Sequence, residues 1–141
     1  MSIQGRRMSD IIVSEIMTTE VFTISPQMTV KESIHLILTK RIGGAPIVDL
    51  SNHLISMISE GTLLKLAAFS GLDKKIQSCM NELPPLSKVI SAKKTDPVLN
   101  LYKIFLSTNI HRIPIVDATG KLQGIVSRGN VLKVFLLSGA S

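Results

Sequence analysis

Cysteine is almost missing from this chain of 141 residues. Cys79 stands alone, so no internal disulfide can form and no CxxC pair exists for zinc or redox work. Its expected role is that of a small buried hydrophobe. Tryptophan is absent and aromatics make up 4% of the chain, too few for a base-stacking platform on single-stranded nucleic acid. Long apolar runs are also lacking. The chain is 45% hydrophobic with a mean hydropathy of +0.34, yet Lys, Asp, Gly or Pro breaks each apolar stretch well short of the ~20 residues a bilayer span needs. The amino terminus, MSIQGRRMSD, carries two arginines with no apolar core behind them, unlike a secretory signal. The expectations are no membrane association and a cytoplasmic location.

His35, His53 and His111 lie in an expected helix, turn and loop without the i, i+4 spacing of a metal-binding helix, so no metal site is expected. The formal charge of +6 raises the question of nucleic acid. However, Arg6-Arg7, Lys40-Arg41, Lys74-Lys75 and Lys93-Lys94 are separate doublets in different segments, and nucleic acid is not expected as a partner.

What the chain does contain is a repeat. Pro46-Ile47-Val48-Asp49 recurs as Pro114-Ile115-Val116-Asp117 at an offset of 68, and the match continues through Leu54/Leu122, Ser59/Ser127, Gly61/Gly129, Leu64/Leu132 and Lys65/Lys133. Upstream, VSEIM (Val13 to Met17) resembles IQSCM (Ile76 to Met80) at an offset of 63, which places an insertion in the second copy near Pro84-Pro85. The organisation read from this is an arm (1–12), a first repeat (13–68), a linker (69–75) and a second repeat (76–141). The arm belongs to neither repeat and is expected to be mobile or to dock on a dimer.

Each copy predicts the same elements. Val21 to Ile24 is a short extended segment that ends at Ser25-Pro26. Thr29 caps a helix whose apolar stripe is Val30, Ile34, Ile37 and Leu38. In the second copy Asp96-Pro97 supplies the cap and first-turn proline, and Val98, Leu101, Ile104 and Phe105 form the stripe. Hairpins follow at Ala45 to Ile58 and Ile113 to Val126, turning at Leu50-Ser51-Asn52 and Ala118-Thr119-Gly120. Thr62 and Asn130 sit where caps belong for a closing helix in each copy. A unit this small cannot bury both its sheet face and its helix stripes alone, so two copies packed sheet to sheet are expected.

The run of helix, linker, hPhVD, turn, strand, Ser and capped helix, repeated twice, resembles the CBS domain pair, or Bateman module, named for cystathionine β-synthase. The resemblance covers roughly residues 13 to 137. Its strongest pieces are Ile110-His111-Arg112-Ile113-Pro114-Ile115-Val116-Asp117 and Gly124-Ile125-Val126-Ser127, similar to nucleotide-sensing members such as the regulatory subunits of AMP-activated kinases. It implies an α/β (α+β) fold of tandem βαββα repeats in a stand-alone module with pseudo-twofold symmetry. It further implies two clefts for an adenine nucleotide (AMP, ADP or ATP), with no cofactor required and no catalysis. One cleft would use Val21, Phe22, Ile42 and Gly43 with Ser127, Asn130 and the neighbouring Arg128. The other would use Val89, Ile90, Ile110, His111 and Arg112 with Ser59 and Thr62. Apolar strand starts would clamp adenine, a short polar side chain would meet the ribose, and hydroxyl and cation would meet phosphate at a helix amino terminus. The resemblance also implies a homodimer, for which Phe69, Phe135, Leu136 and Leu137 offer apolar helix surface, and a regulated partner protein whose identity is unknown.

This sequence departs from the family pattern where an aspartate three residues after the Ser/Thr would accept from both ribose hydroxyls. Thr62 and Asn130 stand there instead, and a neutral acceptor forms bonds weaker by ~1 kcal/mol. Several positions keep two readings. Thr62 and Asn130 serve as helix caps or ribose contacts, and Ser59 and Ser127 as strand-end hydrogen bonders or nucleotide contacts. His111 and Arg112 are phosphate contacts or solvated surface. Met17 and Met80 are core fillers or flexible cleft-mouth groups, whereas Asp49 and Asp117 read as turn residues and not as a general acid and base. At the level of function, the chain reads as a regulatory adenosine-nucleotide sensor that signals to a partner protein. The alternative is a ligand-independent scaffold or dimer module with degenerate clefts.

Overall fold

A computed structural model describes residues 3–138 of the chain. Its elements are α1 (Val30–Lys40), β1 (Gly44–Val48), β2 (Leu54–Ser59), α2 (Glu60–Phe69), α3 (Val98–Ser107), β3 (Arg112–Val116), β4 (Leu122–Ser127) and α4 (Arg128–Ser138). Short 3-10 turns lie at Met8–Asp10, Val13–Glu15, Ile76–Glu82 and Leu86–Lys88. The architecture is α/β with two small antiparallel sheets, β1–β2 and β3–β4. The chain forms two compact units. The middle unit is Phe22–Val89, and the terminal unit combines the chain up to Val21 with the chain from Ile90 onward.

In the middle unit, α1 begins where Thr29 Oγ1 accepts from Glu32 N and the Glu32 carboxylate accepts from Thr29 N, both at 3.0 Å, a reciprocal cap that serves two otherwise unpaired donors. It ends at Arg41, whose φ of 55° is left-handed. Val30 and Ile37 of the expected stripe are buried, but Leu38 is 66% exposed. In the register of β1 and β2, Gly44 pairs with Ser59, Pro46 with Met57 and Val48 with Leu54. The expected first strand is reduced to one parallel bridge, Ile24 to Ile47, in which Ile24 donates to the Pro46 carbonyl and accepts from Val48 N. Pro46 thus turns its donor-less nitrogen to the edge where only that bridge forms, and the β1–β2 ladder loses nothing. Ile24, Val30, Ile37, Ala45, Ile47, Ile58, Leu63, Leu66, Ile76, Cys79 and Leu83 make the core, so Cys79 is one of its small apolar members.

The terminal unit repeats the plan. Arg112 pairs with Ser127, Pro114 with Ile125 and Val116 with Leu122, and Ala92 bridges Ile115 as Ile24 bridges Ile47. Helix α3 starts one residue later than the sequence suggests. Pro97 is the cap, still extended at φ −64° and ψ 140°, and the Asp96 carboxylate accepts from Lys93 N at 2.9 Å. The core is Met8, Ile11, Val13, Ala92, Val98, Leu101, Ile113, Ile115, Val126, Val131 and Val134, with Ile3 packed against it. Through Ile3, Met8 and Ile11 the segment before the first repeat packs on this core. Phe135 does not add to the exposed surface as expected. It meets Tyr102 edge to face at 5.6 Å and packs on the core.

The helix starts show what defines these units. Val30 N donates to the Lys74 carbonyl and Ile76 N to the Met28 carbonyl, each at 2.8 Å. At matching places in the terminal unit, Val98 N donates to Ile11 O at 2.8 Å and Val13 N to Asp96 O at 2.9 Å. The first turn of each helix, with amides that lack partners within the helix, is thus tied by a segment from beyond its own sequence repeat.

Candidate functional site

The strand-to-helix turn of each unit carries most of the polar residues singled out in the sequence. In the terminal unit, β4 passes into α4 through Ser127-Arg128-Gly129-Asn130. Ser127 Oγ accepts from Asn130 N at 3.2 Å, while Asn130 Oδ1 accepts from Ser127 N at 2.8 Å and from Ser127 Oγ at 2.9 Å. In the middle unit, Ser59 Oγ accepts from Thr62 N at 3.2 Å and lies 3.2 Å from Thr62 Oγ1. The capping residues are therefore Ser59 and Ser127. Thr62 and Asn130 are the third residues of their helices and reach back to the cap, because each serine ends its strand in extended geometry one step before helical dihedrals begin.

The loop before β3 joins this turn. Arg128 N donates to His111 O at 3.2 Å and Arg128 Nε to Ile110 O at 3.1 Å, beside the Arg112–Ser127 strand pair. Ile110, His111, Arg112, Ser127, Arg128 and Asn130 are thereby brought together. Val21 and Ile90 belong to the same unit. Thr18, which no sequence motif singled out, approaches Asn130 with its Oγ1 3.5 Å from Nδ2. Its backbone bridges Ile125 on the far edge of β4. The only sequence signal for it was its place directly after VSEIM.

The middle unit gathers a matching set. Glu60 N donates to Gly43 O at 3.0 Å and Gly44 pairs with Ser59, so Ile42, Gly43, Ser59 and Thr62 share one edge. Phe22, 43% exposed, has Lys40 Nζ 4.9 Å from its ring centroid, a cation over an aromatic face. Val89 ends the unit. The two turns differ in charge: Ser59 is followed by Glu60, whereas the equivalent Ser127 is followed by Arg128. An anion at the terminal-unit turn meets the Arg128 side chain at the positive end of a helix, while at the middle-unit turn it meets the Glu60 carboxylate.

The two aspartates make turns. Asp49 Oδ1 accepts from Ser51 N at 2.9 Å and His53 N at 2.8 Å, and Asp117 Oδ1 accepts from the Thr119 hydroxyl at 2.7 Å, Thr119 N at 2.8 Å and Lys121 N at 3.0 Å. Both stay below the usual carboxylate range, Asp49 mainly through the His53 amide and Asp117 mainly through the Thr119 hydroxyl. Carboxylates so held are poor proton carriers near neutrality. Among the described residues, no three His, Cys, Asp or Glu gather as metal ligands would, and no helix is long and apolar enough to cross a membrane.

This duplicated hairpin with a serine-capped helix places the protein in a known class. The CBS domain family matches residues 13–68 and 80–137, and the chain belongs to that family. Among its relatives, CBSX1, a chloroplastic CBS domain-containing protein of Arabidopsis thaliana, is 31% identical over 88% of this chain and 64% of its own length. The Methanocaldococcus jannaschii protein MJ1232 is 32% identical over 89% of this chain and 40% of its own length. The chain thus spans less than two thirds of either relative. Among solved structures, Arabidopsis thaliana CBSX2 in complex with AMP is 26% identical with a TM-score of 0.76, covering 89% of this chain and 96% of that one.

Proposed function

We propose that this chain is a regulatory module that binds AMP, ADP, ATP or a related adenosyl ligand and passes its ligand state to a partner protein. The observation that carries this is the terminal-unit turn, where Ser127, Arg128 and Asn130 meet Ile110, His111 and Arg112 at the start of a helix. A guanidinium and an imidazole at the positive end of a helix suit a phosphate, and the half-buried Ile110 beside them suits a purine face. The likeness to a CBS pair crystallised with AMP supports the same ligand class. Residue by residue, Val21, Phe22, Ile42, Gly43, Val89, Ile90 and Ile110 are assigned to adenine, Asn130 and Thr62 with their capping partners Ser127 and Ser59 to the sugar, and Arg128, His111 and Arg112 to phosphate. No catalytic step is assigned.

Thermal unfolding of protein stripped of nucleotide, with and without AMP or ATP, tests the reading. Ligand at ~100 times its dissociation constant stabilises by roughly 2.7 kcal/mol, a plain rise in melting temperature. No shift with any adenine nucleotide at millimolar concentration would leave the second reading, a ligand-independent scaffold. One observation favours that alternative: neither turn has a carboxylate three residues after its serine. Under both readings two copies pair through the exposed apolar side chains of α2 and α4, and the module works in the cytoplasm.

A further inference from the structure

The side-chain amide of Asn130 has one orientation, and the backbone fixes it. Oδ1 lies 2.8 Å from Ser127 N. A backbone N–H only donates, so the atom facing it is the oxygen and not the NH2 group. The same oxygen lies 2.9 Å from Ser127 Oγ, which itself accepts from Asn130 N at 3.2 Å and so turns its own hydrogen toward Oδ1. Both lone pairs of Oδ1 are then occupied. What Asn130 still offers is Nδ2, a donor group 3.5 Å from Thr18 Oγ1. An aspartate in this reciprocal cap would keep one oxygen on Ser127 and set its second oxygen where Nδ2 stands. Asparagine therefore reverses the hydrogen-bonding sense of that one position while keeping the cap intact.

On the reading that Asn130 meets the sugar of an adenine nucleotide, we infer that its side chain presents the sugar with a donor and no free acceptor, so that the protein holds ribose and 2′-deoxyribose nucleotides with nearly equal affinity. A ribose hydroxyl can receive the Nδ2 hydrogen on a lone pair, but its own hydrogen finds no acceptor on Asn130. A carboxylate would take that hydrogen in a charge-assisted bond, and a site built on such a bond rejects the analogue that lacks the hydroxyl. The middle-unit turn has no carboxylate at the matching position either: Thr62 stands there, its Oγ1 3.2 Å from Ser59 Oγ.

Calorimetric titration of the full nucleotide-stripped chain with AMP and with 2′-deoxyadenosine 5′-monophosphate, repeated on Asn130→Asp, tests this. The native dissociation constants should agree within about threefold, and the variant should prefer AMP by about tenfold or more, the worth of one charge-assisted bond. The ratio within each protein is the readout, so a general change in affinity does not disturb it. A native preference for AMP of about tenfold overturns the inference and leaves nucleotide sensing intact. The same ratio in native and variant protein places residue 130 away from the sugar and also overturns it. No heat from either nucleotide at millimolar concentration overturns the sensing reading and this inference together. If the ligand-free variant does not melt cooperatively, the native ratio decides alone.

Discussion

Ser56 and Gly124 hold the same place in the two hairpins and face different neighbours. Ser56, fully buried, donates its hydroxyl to the Pro84 carbonyl at 2.8 Å. At Gly124 a Cβ would stand 2.8 Å from Met17 Sδ and 2.9 Å from Thr18 O. The thioether can move, but the Thr18 carbonyl is bonded to Ile125 N at 2.9 Å and cannot. Gly124→Ala is therefore expected to lose about 1–3 kcal/mol by overpacking, read as a lower denaturant midpoint, while an unchanged midpoint would deny the close approach. The sequence disclosed that these two positions differ, because the repeat aligns them. It did not disclose why, because Thr18 and Pro84 come from segments that only folding lays beside the hairpins. The turn at each hairpin tip was easier to read: Asn52 at φ 65° and Gly120 at φ 89° are the residue types that tolerate left-handed backbone.

Among elements, the segment before the first repeat is tied down most specifically. Arg6 grips both oxygens of Glu15, at 2.6 and 3.1 Å, and donates to the Asp10 carbonyl at 2.6 Å, while Glu15 also accepts from Ile12 N at 2.9 Å. The Arg6 guanidinium first, and the Ile12 amide second, hold the Glu15 carboxyl below its ordinary value of 4.5. A depressed folded value means the unfolded chain binds the proton more readily, so the stability from this pair is complete above the ordinary value and is lost as pH falls through the folded one. Glu15→Gln should therefore melt below the native protein at neutral pH, with the gap closing from about pH 5 downward. A gap independent of pH would remove the ion pair from the account. The pairing was not legible because its partners lie nine positions apart along irregular chain. The helices were more legible, since apolar periodicity set α1 and α3 to within a residue or two, though the caps of α2 and α4 fell on the serines that serve them.

On the scale of the whole molecule, exposed apolar side chains recur at repeat-equivalent places. Leu64 is 73% exposed and its equivalent Leu132 63%, with Phe69 at 88%, Leu136 at 86% and Leu137 at 52%. Such surface on two helices is what a second copy would cover. Sedimentation equilibrium is expected to give a dimer, and Leu64→Lys together with Leu132→Lys is expected to shift it toward monomer; a native protein that sediments as a monomer at high concentration would deny the pairing.

The sequence by itself determined the duplication, the family, the α/β elements and most of the polar turn residues. These rest on local hydrogen bonding and apolar periodicity, which a linear pattern records. The tertiary structure decided where the compact units begin. The middle unit runs from Phe22 to Val89, while VSEIM, which opens the first sequence repeat, packs beside α3 with the second. Peptide groups at the start of a helix need partners from outside it, and which segment supplies them depends on the path of the chain through space, of which the order of residues carries no mark.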